Sequence, residues 1–278
     1  MPLDFSLAGK TYDSVDIAID QADIERYAAA SGDENPRYRV GPDQVAGPVF
    51  PVVPGFPLMM AVAADPELNV GNPLMIVHGE QEIVYHRPMR GGETLVFTPS
   101  LVKVEDKGKG AVYVVEVAAA TQSAERMTDQ YATIFVRGGG SGGEHPASET
   151  VAQPVRGSVA AEFTRHVDVG MPARYAEASG DHNPIHLDEA VAMAVGLPGV
   201  INHGLGTLSL VAGGLVDHVA DGDVTRLARL RVRFTDMVLP GSDVETTVWE
   251  SGNRSCLFET TRPDGTVVMS GIIEVRSS

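Results

Sequence analysis

Apolar and polar positions alternate with a period of two in several stretches of the second half of the chain. The clearest is Leu230-Arg-Val-Arg-Phe234, which puts Arg231 and Arg233 on one face and the apolar residues on the other. The same pattern predicts strands over Thr225–Phe234, Asp243–Glu250, Ser255–Thr261 and Val267–Val275. Gly241-Ser242-Asp243 and Pro263-Asp264-Gly265 read as hairpin-type connections between them. Leu205 to Val219 breaks this rhythm with an apolar run that reads as a buried helix. An antiparallel sheet with one apolar face needs a cover, and this helix can supply it. Trp249 and Met269 are expected in the core.

The pattern occurs twice. Ile24 to Tyr38, containing Tyr27-Ala-Ala-Ala-Ser-Gly-Asp-Glu-Asn-Pro, matches Pro172 to His186, containing Tyr175-Ala-Glu-Ala-Ser-Gly-Asp-His-Asn-Pro. Asp33 and Asp181 are the equivalent aspartates, and Tyr85 to Glu93 answers Phe234 to Asp243. An internal repeat of this length implies two copies of one unit. Each begins with a short strand (Tyr12–Ile19; Ala161–Asp168), followed by a short helix, an Asn-Pro turn, an apolar helix and four strands. Residues 138–157 are rich in Gly and Ser and read as a flexible linker. They separate residues 1–137 from residues 158–278. The fold class is therefore α+β, with two antiparallel sheets each wrapped on a central helix. Two such units can pair side by side into one continuous sheet, a pseudo-dimer within one chain.

Composition narrows the function. The chain has 278 residues, 43% hydrophobic and 21% charged, with a net charge of −16. That balance is globular, and it provides no basic face for nucleic acid. A polyanionic ligand would need a local basic patch against the overall field. Cys256 is the single cysteine, so no internal disulfide and no zinc-type cysteine spacing exist. Met1-Pro2-Leu3-Asp4 does not open a signal peptide, and Leu205 to Val219 is too short for a membrane span. These features predict a cytoplasmic protein with no membrane partner.

The candidate chemistry lies between positions 175 and 210. Asp181 and His186 flank Asn183-Pro184, and a proline turn is stiff enough to aim a carboxylate and an imidazole at one point. Such a pair sharing one water is a general acid–base device. Gly-Asp-x-Asn-Pro alone is also ordinary turn chemistry. His203-Gly204 adds a third component, because a helix start offers free N–H groups to a developing oxyanion. His182, His186, Asp181 and Asp188 could be read as a metal cluster, but side chains on an extended turn diverge. No metal and no cofactor is expected. Packing or capping is the plainer reading of His203, and a solvent face the plainer reading of Arg231 and Arg233.

Ser179-Gly-Asp-His-Asn-Pro-Ile-His186, preceded by Tyr175 and followed by His203-Gly204, resembles the hydratase-2 motif of the MaoC-like dehydratases. The resemblance covers nearly the whole chain and implies the double hot-dog fold of the (R)-specific enoyl-CoA hydratases and 3-hydroxyacyl-thioester dehydratases. Carried over, Asp181 and His186 are catalytic and the Gly204 N–H donates to the thioester oxygen. Asn183, His203 and Gly55 are the accompanying substrate-binding positions. The substrate is a CoA or acyl carrier protein thioester, and a homodimer of such chains is compatible with the family. The first half departs from the motif, with Tyr38 in place of the histidine and Val53-Pro54-Gly55 in place of Asn202-His203-Gly204. A phenol is a poor base at neutral pH. The resemblance therefore implies a degenerate first half that houses the acyl tail, its helix surrounded by Pro48, Pro51, Pro54 and Pro57. In the second half Ala212 stands where some members carry a helping serine. Two rival readings share the fold: a hot-dog thioesterase, which attacks C1 rather than C3, and a non-catalytic acyl-thioester-binding subunit.

Overall fold

The computed structural model describes residues 2–71, 76–143 and 155–277. The first half contains β1 (Lys10–Thr11), β2 (Val15–Ala18), α1 (Gln21–Ala30), α2 (Val52–Ala63), β3 (Ile76–Tyr85), β4 (Thr94–Asp106), β5 (Gly110–Thr121) and β6 (Arg126–Arg137). The second contains β7 (Val159–Val167), α3 (Met171–Ser179), α4 (Glu189–Ala194), α5 (Gly204–Val219), β8 (Leu227–Phe234), β9 (Ser242–Glu250), β10 (Ser255–Thr261) and β11 (Val267–Val275). Most of the linker, residues 144–154, lies outside the described residues.

The strands form one 11-stranded antiparallel sheet rather than two separate ones. Its order is β1-β4-β5-β6-β3-β8-β11-β10-β9-β7, with β2 also on β4. The halves join where β3 pairs with β8, Glu80 opposite Arg233 and Glu82 opposite Arg231. On the outer face of this seam Arg231 bonds Glu80 at 2.8 Å and Arg229 bonds Glu82 at 2.7 Å. The alternating arginines of β8 are thus solvent-face residues tying the halves together.

This seam corrects one expectation. Gly241-Ser242-Asp243 is not a hairpin, because β8 lies between β3 and β11 while β9 lies between β10 and β7. The 235–241 segment crosses over two strands instead. Pro263-Asp264-Gly265 does close a hairpin between β10 and β11, with Gly265 at φ +81° in the left-handed region open to glycine. Trp249 is also not core. Val244, Thr246 and Val248 take the inward positions of β9, so Trp249 faces outward under the Arg156 guanidinium, 4.1 Å from the ring. Met269 is buried as expected.

The core lies between the sheet and the two central helices. In α5 every residue from Leu205 to Val216 is buried. The shorter α2 buries only Val52, Gly55, Met59 and Val62, and it runs through Pro57. Tyr27 of α1 and Tyr175 of α3, equivalent positions of the repeat, meet at the pseudo-two-fold axis with their hydroxyls 3.1 Å apart. Ser209 of α5 bonds the Tyr27 hydroxyl at 2.7 Å, so no polar atom of the pair is left without a partner.

Candidate active site

The Asn-Pro turn is a single 3-10 turn, Pro184–His186, with Pro at its start. The Asn183 side-chain oxygen accepts from the Ile185 N–H, and the Asp181 carboxylate accepts from the Asn183 N–H at 3.1 Å. These local bonds replace a floppy loop by a fixed path. Gly180, at φ +79°, ends α3 and turns the chain into this path. Asn183 itself is exposed and its placement is that of a turn residue.

The turn delivers His186 into a buried position against the start of α5. Its Nδ1 lies 2.9 Å from the Ile201 carbonyl. A carbonyl only accepts, so Nδ1 carries the proton and Nε2 keeps its lone pair for the site. The His203 ring stacks on His186 with centroids 3.8 Å apart, and Tyr175 also packs against His203, tilted, at 4.8 Å. His203 Nε2 donates to the Asp181 backbone carbonyl at 2.9 Å. His203 therefore touches both neighbours of the proposed water. Its Nδ1 is buried without a partner.

An oxygen of the Asp181 carboxylate and one ring nitrogen each of His186 and His203 all lie within 4.8 Å of one another. A water making bonds of about 2.8 Å can bridge groups that close. The next residue is Gly204, the first of α5, and it is exposed. His203 accepts the first backbone bond of the helix from the Thr207 N–H. The amides of residues 204–206 precede that bond and form the open helix N-terminus. Phe234 lies beneath Gly204, 3.4 Å from where a side chain would begin.

Burial sets the charge state of both imidazoles. Desolvation pushes the His186 pKa below 6.5, against the opposing pull of the Ile201 carbonyl and Asp181. Desolvation, and then the neighbouring His186, push His203 down to about 4. Both rings are neutral at pH 7, which is the form a base needs. The Asp181–His186–His203 cluster is the one group with metal-ligating spacing among the described residues. Its two rings are stacked with planes 29° apart, so their lone pairs run side by side rather than converging on one ion. His182 and Asp188 do not join it: Asp188 caps α4 through the Ala190 and Val191 N–H groups.

Asp181, Tyr175, Ser179 and Leu205 line one small hollow together with Val52, Val53 and Phe56 of α2. The last three belong to the first half. The counterpart site there is altered. Tyr38 is buried, its hydroxyl has no partner, and burial drives its pKa well above the usual phenol value. Burial also raises Asp33 to about 6, where it packs against Gly213 of α5. Gly55 is corrected as a counterpart of Gly204. It lies a turn inside α2, facing Val117 and Gln130 of the sheet, so it lets helix and sheet approach closely rather than offering a free amide. Ala212 is buried in α5, and no hydroxyl takes its place.

The chain order missed two groups. The Ile201 carbonyl sets the His186 tautomer, but a backbone oxygen leaves no trace in residue type. Phe234 lies 30 positions past Gly204 and reads as an ordinary strand residue.

Fold and site together define a double hot-dog protein whose second unit carries the Asp–His constellation. The chain belongs to the MaoC-like hydratase 2 family: residues 150–269 match the MaoC like domain, and residues 20–138 match the MFE-2 hydratase 2 N-terminal domain. It is 31% identical over 210 residues to a probable enoyl-CoA hydratase 2 of Dictyostelium discoideum, covering 73% of this chain and 71% of that protein. It is 31% identical over 197 residues to the peroxisomal multifunctional enzyme type 2 of Mus musculus, covering 70% of this chain but 26% of that larger protein. The crystal structure of a MaoC-like dehydratase from Phytophthora capsici superposes with a TM-score of 0.85 at 25% identity, covering 100% of this chain and 99% of that one. No helix among the described residues is long and apolar enough to cross a membrane.

Proposed function

We propose that this chain adds water reversibly across the double bond of trans-2-enoyl thioesters, giving (R)-3-hydroxyacyl thioesters. The observation that carries this reading is the convergence of Asp181, His186 and His203 within 4.8 Å beside the first amide of α5. His186 Nε2 takes a proton from the held water as its oxygen bonds to C3. Negative charge moves through C2 onto the thioester oxygen, where the Gly204 N–H and the helix dipole stabilise it. The proton on His186 passes to the Asp181 carboxylate within the pair, and Asp181 delivers it to C2. The proton count closes, because the water gives one to the pair and the pair gives one back. Dehydration is the reverse.

The halves divide the work. The second unit, residues 158–278, carries the chemistry. The first, residues 1–137, lacks a base and houses the acyl tail, supported by the hollow that Asp181 lines together with Val52, Val53 and Phe56. The substrate is carried as a CoA or acyl carrier protein thioester, and the chain works in the cytoplasm without metal or cofactor.

Incubation with a trans-2-enoyl-CoA is expected to yield the 3-hydroxyacyl-CoA, with no free thiol from a saturated acyl-CoA. Thiol release from the saturated ester would assign the chain to the thioesterases instead. No turnover of either would leave a binding subunit. Gly204→Pro tests the oxyanion donor alone. Proline fits the first position of a helix, and His203 before it already has the extended backbone (φ −60°, ψ 136°) that proline demands. The variant should fold with a near-unchanged melting temperature and lose kcat by about 100-fold or more, the usual effect of removing one oxyanion donor.

A further inference from the structure

The seam strands β3 and β8 run antiparallel across the middle of the molecule, so each end of the pair faces one of the two helix starts. At the end facing α2 stand Tyr85 and Leu227, which line one cavity with Pro51. At the end facing α5 stand Phe234 and His78. The repeat relates these residues in pairs at one spacing, Tyr85 with Phe234 and His78 with Leu227. One fold position thus holds leucine beside the unit without a base and histidine beside the unit with one. The fold itself is satisfied by the aliphatic side chain, since Leu227 is fully buried. His78 is half-buried where Leu227 is buried, and holding an imidazole there still costs desolvation that leucine avoids, so the histidine has a reason outside packing.

The backbone takes the same course at both places, so the ring itself is what differs. The pairing of β3 with β6 slips between His78 and Glu80, with Gly79 as the extra residue. β8 slips in the same way beside Leu227, with Ala228 as the extra residue, so the bulge belongs to the fold and only the side chain differs. Across the β3 bulge the His78 Nε2 bonds the Glu80 carbonyl at 3.1 Å, which fixes the ring. The ring then meets Phe234 in a T-shaped contact, centroids 5.4 Å apart, and Phe234 in turn supports Gly204. Burial keeps His78 neutral, its pKa down to about 4, and Asp181 is among the charges it feels.

We propose that His78, supplied by the first half, is a positioning residue for the reaction in the second half. It holds Phe234 against the start of α5 and so sets where the Gly204 amide meets the thioester oxygen. The first unit then contributes to the transition state as well as to tail binding. This inference rests on the hydratase reading above.

The test compares His78→Leu, the residue of the vestigial side, with His78→Phe, which keeps a ring against Phe234, in the full chain with a short trans-2-enoyl-CoA. His78→Leu is expected to lower kcat by about tenfold or more while KM stays within about threefold, because misplacing a donor by a fraction of an ångström acts on the transition state. His78→Phe should recover most of the loss. Phe234→Leu should reproduce it, and the double variant His78→Leu/Phe234→Leu should be no slower than the worse single variant, as expected for two residues acting through one contact. A His78→Leu enzyme within twofold of wild-type kcat would overturn the proposal, as would additive losses in the double variant. A loss confined to KM would also overturn it. If either leucine variant fails to fold, His78→Gln decides instead, since it can keep a bond to the Glu80 carbonyl but has no ring against Phe234: a tenfold loss of kcat supports the proposal and kcat within twofold of wild type overturns it. Full activity of Asp181→Asn, by contrast, would sink the hydratase reading and leave the His78 measurements standing by themselves.

Discussion

Asp181→Asn is expected to lower kcat for a trans-2-enoyl-CoA by about 1,000-fold, the scale set by losing a positioned acid–base group. The substitution is close to a pure chemical test. The Asp181 carboxylate accepts one backbone bond, from the Asn183 N–H at 3.1 Å, and an amide oxygen can accept the same bond. The backbone carbonyl of residue 181 also still receives the His203 Nε2–H. Fold, turn and ring stacking should persist, with an unchanged circular dichroism spectrum and melting temperature. What disappears is the group that returns a proton to C2. Turnover within tenfold of wild type would contradict the assigned role.

His186→Asn is expected to match that loss while keeping the structure, where His186→Ala would not. The side-chain amide of asparagine can donate to the Ile201 carbonyl from nearly the place of Nδ1, which lies 2.9 Å from it. It has nothing at the Nε2 position, so the base is removed and the buried carbonyl stays paired. The pH profile gives an independent check. His186 has its folded pKa below 6.5 through burial, so it is neutral at pH 7 and becomes protonated only as pH falls further. Wild-type kcat/KM should hold through pH 7 and fall on an acid limb whose midpoint lies below 6.5. The residual activity of His186→Asn should lack that limb. A wild-type limb centred above pH 7 would mean that another group is the base.

The site was legible to the extent that its chemistry is local in the chain. Asp181 and His186 sit close enough in sequence that the rules of the Asn183-Pro184 turn bring their side chains near one another, whereas Gly204 is brought beside them only by the tertiary fold. His203 shows the limit of that reading. Its type and position suggested capping or packing; it does pack, buried and stacked on His186, while its side chain makes no cap bond and instead donates to the Asp181 carbonyl. The Gly55 expectation failed for a related reason. Matching glycines in a repeat have the same place in the alignment but not the same place on the helix, because the proline-rich approach to α2 shifts where the helix begins.

Periodicity and the internal repeat determined the larger outline by themselves: two copies of a helix wrapped by strands, one copy with a histidine after the Asn-Pro turn and one with a tyrosine. Those signals are properties of neighbouring residues, and a period of two or an apolar helical run survives in any context. Strand order did not follow from them. That β8 leaves β9 and pairs with β3 depends on burying the seam between the halves, a contact between positions about 150 residues apart. Only that long-range pairing carries Phe234 beneath Gly204 and sets His78 of the first half against the Phe234 ring.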